Sequence, residues 1–409
     1  MKKSIVIERA ERLHQIPLNR PLKLSRYLKR LANKGIEPID LTTSFISTPN
    51  NQEITDRMFS MIPSTEFSDN TTGARQDSAI QFRKVFSDWF AYRFDVEINP
   101  ELNLLPFAGM TTGPASLAMA LVNPGDPVLI PDPGHPAYRT STVLANGEII
   151  SYPLHSRNDF LPNLKQIDSQ SAGKAKLMFI SYPNDPTGAV ADHSFFRELI
   201  DFARNHNIII CHDATQHFLT YDDIEAPSIL QTPGALDVSV ELFSLSGLPG
   251  GIFSNLCVAV GNSSALAAMS QLTSHMQVPL IPEIQAAATT VFPYLSKYTD
   301  ELKTQHQVKR DLMISGFREL GWQLNVPKGG PYLWLPVPPR YSSIRFSVLL
   351  RKAGIFVVPG VYLGEHGEGY VRMSLSCSEV QIQSVIERIN HLMSGFRIRR
   401  KVFPAVNLS

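Results

Sequence analysis

From about Pro127 onward the chain alternates short, nearly continuous apolar runs with segments whose apolar residues recur at helical spacing. The runs are PVLIP (127–131), KLMFIS (176–181), NIIIC (207–211), DVSVELF (237–243) and LCVAV (256–260). A strand buried on both faces has no polar face to keep, so it reads as an unbroken apolar run rather than an alternation. Between these runs, Thr112 to Val122 and His193 to Asn205 read as helices. The second carries Phe195, Phe196, Leu199, Ile200 and Phe202 at helical spacing, with Asp192 placed to cap its first turn. Strand and helix in alternation predict a mostly parallel sheet with helices on both faces.

Beyond about residue 290 the grain changes. Tyr298 to Leu320 reads as a long helix, YLWLPV (332–337) as a strand, and GYVRMSLS is followed by a last helix from Glu379 to Met393. This predicts a smaller α+β domain over residues 291–409, completed by an N-terminal segment of residues 1–54, beside a large domain over 55–290. The chain shows no internal repeat and no low-complexity tract.

Charge narrows the partners. Thirty-eight basic residues stand against 37 acidic ones, a formal charge of +1, so no strong field draws the protein to nucleic acid or anionic lipid. The ending RIRRKVFPAVNLS reads as a solvated tail. Glu8, Arg9, Glu11 and Arg12 interrupt the N-terminus before any signal-peptide core, and no run approaches the roughly 18 apolar residues of a membrane span. Cys211, Cys257 and Cys377 are odd in number and scattered, which reads as reduced thiols in a cytoplasmic protein.

Four segments carry the chemistry: LVNPGDPVLIPDPGHPAYR (121–139), SYPNDPTGAV (181–190), HDATQHFLTYD (212–222) and FSLSGLPGGIFSNLCVAVGN (243–262). With GEHGEGYVRMSLS (364–376) they resemble, in order and spacing, the class I/II (fold-type I) aminotransferases that depend on pyridoxal phosphate (PLP). The resemblance covers roughly residues 30 to 395. It implies an α/β fold with a large domain built on a mainly parallel seven-stranded sheet, a smaller α+β domain, and a homodimer with the site at its interface.

Residue by residue, the resemblance also implies a changed site. The lysine that holds the cofactor as a Schiff base falls on Gly247, and no lysine stands between Lys176 and Lys297. The phosphate-binding arginine falls on Asn255, the amide facing the cofactor's phenolate oxygen on Asp185, and the phenolate-binding tyrosine on Gln216. The ring-stacking aromatic falls on His135, and the tyrosine given across the dimer has Phe67 as its nearest counterpart. The turn that cradles phosphate reads Gly109, Met110, Thr111, Thr112, where backbone amides and hydroxyls still suit an anion. Retained are Asp213 for the pyridine nitrogen, Ser244 in the phosphate shell and Arg372 for a substrate carboxylate.

Plainer readings stay open beside these. Arg372 also reads as half of a structural salt bridge, Asp213 as a satisfied strand-end carboxylate, and Ser244 as structural. Cys211 and His212 are strand neighbours facing opposite sides, which argues against a nucleophilic pair, and no metal-ligand spacing is present.

These departures lead to an expectation of a pseudoenzyme: an aminotransferase-like protein with no catalytic residue, no covalently bound cofactor, and a pocket kept for a small carboxylate ligand or a lysine-independent reaction. Two alternatives accompany it. One is an enzyme using PLP non-covalently on an amino acid, and the other is a non-catalytic subunit paired with an active paralogue.

Overall fold

In the computed structural model, residues 7–16, 29, 33, 35, 37–43, 72–245, 253, 255–276, 280 and 282–394 are described. Gly247, Phe67 and the basic C-terminal tail lie outside them. The strands, in chain order, are β1 (Ile39–Asp40), β2 (Leu104–Ala108), β3 (Pro127–Asp132), β4 (Glu148–Pro153), β5 (Leu177–Ser181), β6 (Ile209–Asp213), β7 (Ser239–Ser244), β8 (Leu256–Gly261), β9 (Tyr332–Pro336), β10 (Ile355–Phe356), β11 (Val358–Pro359) and β12 (Tyr370–Ser374).

Seven of them form one sheet in the order β2-β8-β7-β6-β5-β3-β4. The pairs from β4 through β7 are parallel, and β8 runs antiparallel to both neighbours. This is the expected α/β architecture. All residues of β5, β7 and β8 are buried, as the apolar runs require. The strands missed from sequence, β2 and β4, are the two edges of the sheet.

Helices cover both faces. In Thr72–Phe94, Phe82, Phe86, Phe90 and Phe94 recur every fourth residue and are almost fully buried, so this face seals one side of the sheet. Phe86 and Phe90 meet Phe243 of β7 edge-on, at 6.1 and 5.8 Å. The helix His193–His206 begins where expected: Asp192 accepts from the Phe195 amide at 2.8 Å, and Asn207 ends it in a left-handed conformation. Leu117, Ala118, Leu266 and Met269 pack on the opposite face, over Cys211, Val240 and Cys257.

A second core gathers Ile39 and Leu41 with residues from Leu302 to Ile389, and takes in Leu219 and Tyr221. Here β1 pairs in parallel with β10, and β12 lies between β11 and β9. Arg372 stands on β12 opposite Trp334. The strand therefore brings a cation from the second core toward the ends of the large sheet. Among the described residues no helix is long and apolar enough to cross a membrane.

Candidate functional site

The C-terminal ends of the parallel strands, where α/β sheets place ligands, hold the residues singled out from sequence. Asp213 closes β6 and is 8% exposed. One carboxylate oxygen accepts from Tyr138 Oη at 2.7 Å, and the other accepts from Thr215 Oγ1 at 2.6 Å and from its amide at 3.1 Å. Burial, reinforced by the facing Asp213 carboxylate, pushes the Tyr138 phenol well above its ordinary range, so it stays a donor. Tyr138 and Thr215 were not picked out from sequence. Tyr138 lies one helical turn beyond His135, and that spacing was the available signal.

His135 does not present a free ring. It is the N-cap of the helix Pro136–Leu144, where its Nδ1 accepts the Ala137 amide at 3.2 Å. Gln216 is half-buried three residues beyond the end of β6, and its carbonyl receives the Leu219 amide.

Gly109 has φ +87°, a left-handed conformation that glycine adopts without strain. Its amide donates to the Asn255 carbonyl at 2.8 Å and its carbonyl accepts from Thr112. The helix Thr112–Leu121 starts with no side-chain cap at Thr111; of its first three residues Thr112 gives its amide to Gly109 and Pro114 has none, which leaves that of Gly113 to face an anion. Asn255 itself is exposed. The Ser244 hydroxyl bonds the Cys257 thiol, which burial pushes up to about 12. Cys211 and Cys377 are likewise raised by burial, so none of the three thiols is activated as a nucleophile.

Arg372 takes the plainer of its two readings, half of a salt bridge. It does not stand free for an incoming carboxylate, because its Nη1 lies 2.8 and 2.9 Å from the two oxygens of Asp185. Nη2 donates to the Thr42 carbonyl at 3.1 Å, and the guanidinium lies 4.0 Å over the Tyr332 ring. Both partners are buried, and the Nε–H has no partner among the described residues. Two charges leaving water demand each other, so a carboxylate introduced next to an arginine is captured by it.

Behind this pair lies a buried polar network. His212 Nδ1 faces Glu241 Oε1 at 2.9 Å and its Nε2 faces the Tyr182 carbonyl at 3.1 Å. Glu241 also accepts from Ser228 Oγ and from the Ile229 amide. The network ties β6, β7 and the segment carrying Asp185 into one unit. Cys211 points instead into the opposite apolar face.

PLP would meet a mixed set of donors here. Asp213 suits the partner of a pyridine nitrogen, and the uncapped helix start suits a phosphate. The amine and phosphate arginine of the resemblance have no counterpart at Gly247 and Asn255, and Asp185 is engaged by Arg372. The fit is therefore partial.

Comparison with known proteins supplies the rest. The family described as Aminotransferase class I and II matches residues 36–389. The LL-diaminopimelate aminotransferase of Moorella thermoacetica is 35% identical over 391 residues, 95% of this chain and 99% of that protein. LL-diaminopimelate aminotransferase 2 of a Nostoc species is 36% identical over 387 residues, covering 93% and 97%. A substrate-bound BacF structure from Bacillus subtilis superposes with a TM-score of 0.85 at 28% identity, covering 95% of this chain and 98% of that one.

These relatives correct three expectations. The pseudoenzyme reading, the weight placed on a missing lysine, and the absence of a covalently bound cofactor all run against near full-length similarity to proteins named as aminotransferases. Gly247 stands as a fact of the sequence, but the conclusion drawn from it does not.

Proposed function

Since the chain belongs to the class I and II aminotransferases, we propose that it is a PLP-dependent enzyme acting on an amino acid, with LL-diaminopimelate the substrate that its relatives' names suggest. The single observation that carries this reading is 35% identity across 99% of the Moorella protein's length. When bound, PLP supplies an electron sink for the carbanion left by proton loss beside an amine.

The chain's own residues have the remaining tasks. Asp213, steadied by Tyr138 and Thr215, would hold a proton on the cofactor's ring nitrogen. The Gly113 amide, together with Thr111 and Ser244, would hold the phosphate. His135, fixed by its capping bond, bounds the ring. A substrate carboxylate would have to displace Asp185 to reach Arg372. No lysine lies between residues 176 and 297, so a lysine elsewhere in the chain would supply the amine that holds the cofactor.

Residues 55–290 form the large unit in this proposal, and residues 1–54 with 291–409 the small one; two copies pair as a homodimer. Light scattering at micromolar concentration should give twice the mass of 45.5 kDa. The decisive experiment combines a PLP titration followed by absorbance, turnover of LL-diaminopimelate with a 2-oxo acid as acceptor, and borohydride reduction before peptide mapping. Turnover with PLP supports the reading, and mapping reports whether a chain amine is used. No spectral change and no turnover overturn it.

A further inference from the structure

We propose that the cavity lined by the helices Thr72–Phe94 and Leu295–Glu319 is a second binding site, built for a protonated aromatic amine that carries a ring hydroxyl. The inference goes beyond the proposed reaction and does not depend on it.

The cavity measures about 770 Å3, the size of an ordinary small-molecule site. Its lining comes from those two helices, the turn between them and the segment after β6, and includes none of the residues gathered at the strand ends. Burial grades that lining from floor to rim. His217, Phe292, Leu295 and Thr299 are each 8% exposed or less and make the floor. Trp89 and Phe218 form a half-buried aromatic wall, their ring centroids 5.7 Å apart. Asp88, Glu225 and Asp300 stand exposed at the rim.

The rim selects charge. Its three carboxylates share two cations, Arg93 and Lys303. Arg93 lies 3.2 Å from Glu225 and Lys303 4.0 Å from Asp300, which leaves Asp88 with no ion pair among the described residues. A cation is therefore the charge the rim still lacks, and an anion meets the surplus carboxylate. Carboxylates alone would make only a solvated edge. The aromatic wall beside them changes that, because ring faces attract a partly desolvated ammonium.

The floor selects one polar atom within an apolar body. His217 is packed among Phe94, Phe218 and Phe243, and its Nδ1 has no hydrogen-bond partner among the described residues. Burial lowers its pKa to about 3, so at neutral pH the ring is uncharged, with one nitrogen donating and the other accepting. A ligand hydroxyl does both and suits either tautomer. A turn of the imidazole about Cβ–Cγ brings the orphan nitrogen to it. Apolar floor, orphan imidazole, aromatic wall and acidic rim together describe an arylalkylamine whose hydroxyl lies at the end opposite its ammonium.

Four probes separate these demands. N,N-dimethyltyramine has every group, and its tertiary amine cannot condense with a cofactor aldehyde. N,N-dimethylphenethylamine lacks the hydroxyl, para-ethylphenol lacks the amine, and para-hydroxyphenylpropanoate carries the opposite charge. Calorimetry on the full-length protein at low ionic strength should give N,N-dimethyltyramine a Kd of about 1 mM or tighter. It should lead each probe lacking one group by about fivefold, with the anion weakest. Asp88→Asn should weaken both amines about threefold and leave para-ethylphenol unmoved. His217→Phe should bring N,N-dimethyltyramine down to the level of its analogue without the hydroxyl.

Wild-type protein that binds none of the probes, or that takes the anion as tightly as N,N-dimethyltyramine, overturns the proposal. So does either variant that folds, by its urea midpoint, yet leaves all four affinities as they were, the result expected of binding elsewhere on the protein. If His217→Phe does not fold, Asp88→Asn decides, because that exposed side chain takes no part in the core.

Discussion

Replacing His217 with phenylalanine should remove a pH-dependent weakness built into the large core. His217 is 4% exposed, and its Nδ1 has no hydrogen-bond partner among the described residues. Its ring lies 5.0 Å from Phe94, 5.7 Å from Phe218 and 5.6 Å from Phe243. Burial, with the Arg93 charge nearby adding to it, lowers its pKa from 6.5 to about 3. Lys303 adds to this lowering, while Asp88, Glu225 and Asp300 border the same cavity of about 770 Å3.

Between those two pH values the unfolded chain binds a proton that the folded chain refuses, so stability falls as pH falls from 6.5 and levels off below about 3. Each unit is worth about 1.4 kcal/mol, so roughly 2 kcal/mol should be lost at pH 5 and 4 to 5 kcal/mol across the window. His217→Phe keeps the ring contacts, removes the orphan nitrogen, and has the adjoining cavity to absorb its extra volume. Urea unfolding at pH 7.5, 6, 5 and 4 should show the variant gaining on the wild type by about 2 kcal/mol between pH 7.5 and pH 5. His306, lowered to about 4 by burial, contributes to both proteins and cancels in the difference. A gap that stays constant over the series would refute the reasoning.

Three other substitutions test the frame of the site. Glu241→Ala strands His212, Ser228 Oγ and the Ile229 amide in a fully buried setting, and should cost about 3–5 kcal/mol by urea midpoint; a loss under about 1 kcal/mol would show that water replaces the carboxylate. Phe86→Ala removes a fully buried ring in contact with Phe82, Trp89, Phe90, Phe243 and Phe292, and should cost about 3–5 kcal/mol with an unchanged m-value. Gly261→Ala drives a methyl group onto the Ser239 backbone at φ +150°, where nothing flexible can yield; a thermal midpoint unchanged from wild type would show that β8 can shift its register with β7.

The sheet was legible wherever burial on both sides erased polar positions, and illegible where that condition failed. Both missed strands are edges. β4 carries the mixed exposure of a strand with one paired side, and β2 contains Pro106, which an edge tolerates because a ladder bond is absent there. The run NIIIC ended two residues short of β6 because His212 and Asp213 look like loop residues until Glu241 and Tyr138, 29 and 75 positions away, are brought onto them. The site shows the same limit in a sharper form. Motif order placed Asp185 and Arg372 in one pocket, yet each was read against its own motif position, Asp185 as a lost amide and Arg372 as a retained cation. The separation of 187 positions hides the pairing. Exchanging an amide for a carboxylate beside an arginine does not merely delete a donor; it changes the charge that the arginine offers to a ligand, from a bare cation to one edge of a buried ion pair. Substitutions in such a site therefore have to be read in pairs of opposite charge across the fold, since the second residue decides what the first one means.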